Sequence, residues 1–151
     1  MIQKTIFHET KLINQVFVYG TLLTEMPNHN LIKPFINSIQ PGKALGVLYD
    51  LIYGYPAMTI SPDAGHIQYV YGEVIELIRL TEALKVLDEL EDYYGPNHPD
   101  NLYDRIVQPI ILETGEKIST YLYVWRNESE LEKIGERVTS GNWKQFKQFR
   151  S

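Results

Sequence analysis

One segment, LTEALKVLDELEDYYGP at residues 80–96, carries a sustained helical period, and the apolar stretches around it alternate at the period of strands. QVFVYG (15–20), KALGVLYDLIY (43–53), IQYVYGEVIEL (67–77), YDRIVQPIIL (103–112) and ISTYLYVW (118–125) read as strands. ETGEK (113–117) between the last two suits a hairpin. A second helical stretch, NHNLIKPFINSI (28–39), is held to one or two turns by Pro34. A length of 151 residues predicts a single domain over residues 1–151.

The firm helix is also where the chemistry collects. Thr81 reads as its N-cap, Glu82 lies in the first turn, and Gly95-Pro96 closes it. On a helical wheel Leu80, Ala83, Leu84, Leu87 and Leu90 gather on one face, and Glu91 falls there too. Glu89 points the other way. A carboxyl pressed toward apolar surroundings, at the negative end of a helix dipole, has its pKa raised, which suits a proton shuttle near neutral pH. The spacing also allows a structural glutamate whose head reaches a tyrosine hydroxyl or Arg105.

Other chemistries are excluded or weakened by composition. The chain has no cysteine, which removes thiol catalysis and thiolate metal sites and fits a reducing cytoplasm. His8, His29, His66 and His98 are too scattered for a helical metal site, so no metal or other cofactor is expected. A net charge of −5 repels a polyanion, so no nucleic-acid partner is expected either. The tail NWKQFKQFR (142–150) interleaves aromatic and basic residues; it reads as helical turns with Trp143, Phe146 and Phe149 docked and the cations in solvent. MIQKTIFHETKL has no uninterrupted apolar core, and no run reaches the roughly 18 apolar residues of a membrane span. These features together predict a cytoplasmic protein.

The strand VFVYG stops at Gly20-Thr21. Successive free N–H groups at such a strand end form a nest that holds a small anion without a basic side chain. The stretch also reads as an ordinary turn, with Gly20 in an unusual dihedral and Thr21 bonded to its own backbone.

The order of short motifs adds a resemblance. VYGTLL (18–23), YGYPAM (53–58), YGEVIEL (71–77), LDELEDY (87–93), YDRI (103–106), TYLYVW (120–125) and SGNW (140–143) together resemble the gamma-glutamylcyclotransferase-like family, also called AIG2-like or BtrG-like, over about residues 14–145. The resemblance implies an α+β fold, a small mixed β-barrel of five to six strands with flanking helices. It also implies a cavity where the YGTL loop meets the LDxxE helix. By match, Tyr19, Gly20, Thr21 and Leu22 would hold the α-carboxylate of a small-molecule γ-glutamyl substrate, and Glu91 would be the catalytic acid-base. Tyr103 and Tyr123 would complete the substrate site, near the developing oxyanion.

The implied reaction closes a γ-glutamyl amide into 5-oxoproline and releases an amine or amino acid. Asp92 departs from the family's frequent glycine, and YYGPNHPDN (93–101) is longer than the tightest members need. Two further readings are a non-catalytic small-molecule-binding or regulatory module on the same barrel, and a glycosidase pairing Glu91 with Glu73 or Glu76.

Overall fold

The computed structural model describes residues 12–60 and 67–150. His8 and His66 lie outside them, as does most of the N-terminal stretch. The strands are β1 (Gln15–Val18), β2 (Ile36–Leu45), β3 (Val47–Leu51), β4 (Pro56–Thr59), β5 (Tyr69–Leu77), β6 (Tyr103–Leu112), β7 (Lys117–Trp125) and β8 (Gly135–Arg137). The helices are α1 (His29–Ile32), α2 (Leu80–Leu90), α3 (Leu131–Ile134) and α4 (Trp143–Arg150).

Five strands close into a barrel in the order β1-β5-β2-β6-β7. Four contacts are antiparallel; the closure, Val16 of β1 beside Tyr121 of β7, is parallel. This is the mixed α+β barrel expected. A separate sheet, β4-β3-β8, packs beside it.

Alternation along the strands divides the core in two. Phe17, Val70, Val74, Ile110 and Leu122 belong to one apolar cluster, whereas Val16, Val18, Ile75, Leu77, Tyr123 and Trp125 belong to a second that includes Ala83 and Leu87 of α2. The period of two therefore sends neighbouring residues to opposite faces of the barrel wall, and α2 covers the outer one.

Several local expectations are corrected. The stretch 43–53 is not one strand: it breaks at Gly46, where a Cβ would stand 2.5 Å from the Thr59 carbonyl. The turns before it end early, in α1 and a 3₁₀ turn at Lys33–Phe35, and the chain from Ile36 is already β2. Arg79, not Thr81, is the N-cap of α2, with a left-handed φ of 50° and its carbonyl bonded by the Ala83 N–H. Arg79 is held from outside the helix, its guanidinium donating to the Pro34 carbonyl.

At the other end α2 stops at Leu90, well before Gly95-Pro96. Asp92 turns left-handed at φ 51°, Tyr93 N–H bonds the Asp88 carbonyl at 2.9 Å, and Asp92 N–H lies 3.4 Å from the Glu89 carbonyl. That is the Schellman ending, with aspartate where glycine is favoured.

The hairpin of β6 and β7 forms as expected. In the tail, Trp143 is buried and Phe146 partly so, but Phe149 is 82% exposed. Lys144 and Lys147 are not simply solvated; they pair with Glu25 and Asp50. No helix among the described residues is long and apolar enough to cross a membrane.

Candidate active site

A cavity of about 360 Å3 opens where β1 runs into the next loop and α2 ends. Tyr19, Gly20, Thr21, Leu22, Glu91, Tyr103 and Tyr123 all line it, with Asp92, Tyr55 and Pro56 beside them. The structure thus brings every site residue named from the sequence to one place. Glu73 and Glu76 are elsewhere: Glu73 accepts from the Thr24 N–H and hydroxyl, and Glu76 from Asn37. Neither lines the cavity with Glu91, so the glycosidase pairing is not built.

The loop after β1 is tied down through its carbonyls. Gly20 O accepts from Leu23 N–H, Thr21 O from Asn28 N–H, and Leu22 O lies 2.9 Å from His29 Nδ1. The Thr21 hydroxyl accepts from Asn28 Nδ2 at 3.0 Å rather than bonding its own backbone. The N–H groups of Gly20, Thr21 and Leu22, by contrast, have no acceptor among the described residues. Three adjacent N–H groups without an acceptor among the described residues therefore stand on residues that line the cavity.

Gly20 is not a dihedral device, for its φ is not positive. A Cβ there would meet the Pro56 ring at 2.3 Å, so glycine is needed for close approach. Pro56 is held in turn by Tyr103, whose hydroxyl donates to its carbonyl at 2.7 Å.

Glu91 is the C-cap of α2 and partly buried. Burial first, and then the neighbouring Asp92 carboxylate, push its pKa up to about 8. Its side chain takes no hydrogen bond from the described residues. Arg105 is not its partner: the guanidinium donates to both Asp88 oxygens, at 2.8 and 2.7 Å, and lies over the rings of Tyr93 and Tyr121. The structural pairing left open by the spacing is therefore taken by Asp88. Glu91 is left facing the cavity with a carboxyl near its own midpoint at mildly alkaline pH.

The tyrosines form walls with committed protons. Tyr19 donates to the Tyr123 carbonyl at 2.7 Å, and Tyr123 donates to Asp88 at 2.6 Å. Burial drives the hydroxyls of Tyr19, Tyr103 and Tyr123 well above their ordinary range, so none is a proton acceptor near neutral pH. Since Tyr103 and Tyr123 already donate to Pro56 and Asp88, neither hydroxyl is a free donor for an oxyanion. Sequence reasoning missed Asp88 and Pro56 as organisers; the one available signal was Asp88's place in LDELE, three residues before Glu91.

The inserted loop is compact. Asn101, 6% exposed, accepts from Tyr94 N–H and donates to the Gly95 carbonyl and Asp104, while Leu102 and Tyr103 N–H return to the carbonyls of Asp92 and Glu91. Among the described residues no group of histidine and carboxylate side chains could hold a metal ion.

Comparison with known proteins shows the family and the fold. The family model for gamma-glutamyl cyclotransferase, AIG2-like, matches residues 16–145. A gamma-L-glutamyl-butirosin B gamma-glutamyl cyclotransferase from Niallia circulans is 33% identical over 132 residues, covering 87% of this chain and 76% of that protein. An AIG2-like protein from Mus musculus shares the fold with a TM-score of 0.54 at 22% identity, over 82% of this chain and 85% of its own. An Arabidopsis thaliana protein solved in solution gives 0.62 at 23% identity, over 93% and 87%. The family match spans the chain from β1 to the start of α4, and the chain belongs to the gamma-glutamyl cyclotransferase, AIG2-like family.

Proposed function

We propose that this protein is a γ-glutamylcyclotransferase that converts a γ-glutamyl amide to 5-oxoproline and a free amine, with Glu91 as general acid and base. Family membership supports a cyclotransferase-type enzyme; the residues supply the finer reading. The observation that carries it is the pairing, in one cavity, of an unbonded carboxyl of raised pKa with three free N–H groups.

The N–H groups of Gly20, Thr21 and Leu22 hold the substrate's α-carboxylate, with Tyr19 as the adjoining wall. The α-ammonium then lies toward Glu91, which ionises more readily beside a cation and removes one proton. The amine so formed attacks the γ-carbonyl, closing a five-membered lactam, an intramolecular step that gains from enforced proximity. The old amide C–N bond breaks, and its nitrogen receives two protons in all, the first back from Glu91 and the second from the lactam nitrogen. The leaving amine departs as an ammonium ion and Glu91 returns to its starting state. No protein nucleophile or water enters the balance. Tyr103 and Tyr123 shape the wall, their hydroxyls holding Pro56 and Asp88 in place.

Incubating the protein with a panel of γ-glutamyl amides, while 5-oxoproline is followed by mass spectrometry, tests the reading. 5-Oxoproline without glutamate is expected, and acetylation of the substrate's α-amine should abolish amine release. Glutamate as the primary product would replace cyclisation with hydrolysis. Silence across the panel would favour a binding module on the same barrel.

A further inference from the structure

The cavity around Glu91 is lopsided in charge. Among the described residues its wall holds two carboxyl side chains, Glu91 and Asp92, and no lysine, arginine or histidine. Nearby cations are engaged elsewhere: Arg105 by Asp88, and Arg126 by Asp104 and the His98 carbonyl. Consistently, burial and Asp92 both raise the Glu91 pKa, and no cation opposes them.

Asp92 is unfavourable where it stands, on three separate counts. It holds a left-handed φ of 51°, it sits at the negative end of α2, and it adjoins another carboxyl. Its polar side-chain contact is the Tyr94 hydroxyl, 3.3 Å away, and no ion pair among the described residues neutralises it. Glycine would avoid all three costs.

A cation brought by the substrate relieves the two electrostatic ones. Tyr55 lines the same cavity, feels the fields of both Asp92 and Glu91, and stacks on Tyr53 with centroids 5.9 Å apart. A carboxylate beside aromatic faces is a combination that attracts ammonium groups and repels anions.

We propose that Asp92 is a specificity-determining residue, selecting γ-glutamyl amides whose leaving group carries a further positive charge over those whose leaving group carries a carboxylate. The inference rests on the cyclotransferase reading above. Glu91 takes the α-ammonium, and Asp92 the second cation on the departing amine.

The test uses three γ-glutamyl amides of matched reach, made from 1,4-diaminobutane, butylamine and 4-aminobutanoate. 5-Oxoproline formation is followed for the wild-type protein and for Asp92→Asn, which tolerates a left-handed φ. In the wild type, kcat/KM should fall from the cationic to the neutral to the anionic amide, by about fivefold per step, the scale of an exposed ion pair. The ratio should shrink in high salt and approach one in Asp92→Asn. Because the readout is a ratio within each protein, any effect of the substitution on Glu91 cancels. Equal rates for the three amides, or a preference unchanged in Asp92→Asn, would overturn this inference and leave the cyclotransferase reading standing. No 5-oxoproline from any of them would overturn both.

Discussion

Asp88 and Glu91 leave the same helix end about one turn apart, and the protein treats them in opposite ways. Asp88 receives two guanidinium bonds from Arg105 and one from the Tyr123 hydroxyl, all between 2.6 and 2.8 Å. Glu91 receives none from the described residues and has its pKa raised to about 8. Both feel the same negative helix terminus, so the dipole does not separate them. Partners do. A carboxylate saturated with charged donors is a structural post, whereas one left bare at a cavity wall can gain and lose a proton where catalysis needs it.

The sharpest way to break this contrast is Glu91→Gln, which keeps size and shape and removes only proton transfer. Turnover to 5-oxoproline should fall by about 100-fold or more, the scale of general acid-base catalysis. Glu89→Gln, on the exposed face, should change little, and equal losses would mean that the helix face selects nothing. Asp88→Asn should do the reverse and act mainly on stability. It leaves the Arg105 guanidinium, only about a quarter exposed, without a counter-charge, and urea titration should show a loss of about 2–3 kcal/mol. An unchanged midpoint would show that the Arg105 pair does not anchor the helix.

Acidity sharpens the comparison further. The kcat/KM profile should rise through an acid limb near pH 8, the Glu91 value in the free protein. Stability should move the other way. Below the ordinary glutamate value of 4.5 the carboxyl is protonated folded or unfolded; between 4.5 and about 8 the unfolded chain releases the proton and the folded one keeps it. Wild-type stability relative to Glu91→Gln should therefore fall as pH rises across that interval and level off above it, as melting temperatures of the two would show.

The smallest effect belongs to Asp92→Gly. Removing the left-handed side chain and the like charge should raise stability by about 1 kcal/mol in the same titration and move the acid limb downward. An acid limb left in place would separate Asp92 from the tuning of Glu91.

The parts of this arrangement legible in the sequence are those written in local periods. The wheel placed Glu91 with Leu84 and Leu87, and alternation located most of the barrel strands, because burial on one face imposes a period that survives in the chain. β2 escaped because its first six positions are exposed or only partly buried and Pro41 within it is a residue that argues against a strand. β4 and β8 are 4 and 3 residues long, too short to show alternation. At the site, Asp88's partners lie 17 and 35 residues further on, and the Tyr103 hydroxyl reaches back 47 residues to Pro56. No local period encodes such pairings, so the tyrosines were visible as lining groups while the destinations of their protons were not. The glycine at 20 was legible as an identity, but its reason, a proline ring from another sheet, was not.

That contact between Gly20 and Pro56 brings the β4-β3-β8 sheet against the barrel at the loop proposed to hold the substrate's α-carboxylate. If the proposed binding role holds, the position of that loop depends on the two sheets staying docked, which makes its fit a property of the junction rather than of either sheet. A fluctuation that lifts β4 away should therefore loosen this loop while the barrel strands stay paired. A bound carboxylate, by favouring the docked state, should slow amide hydrogen exchange in β4 and β3, well beyond the residues it touches.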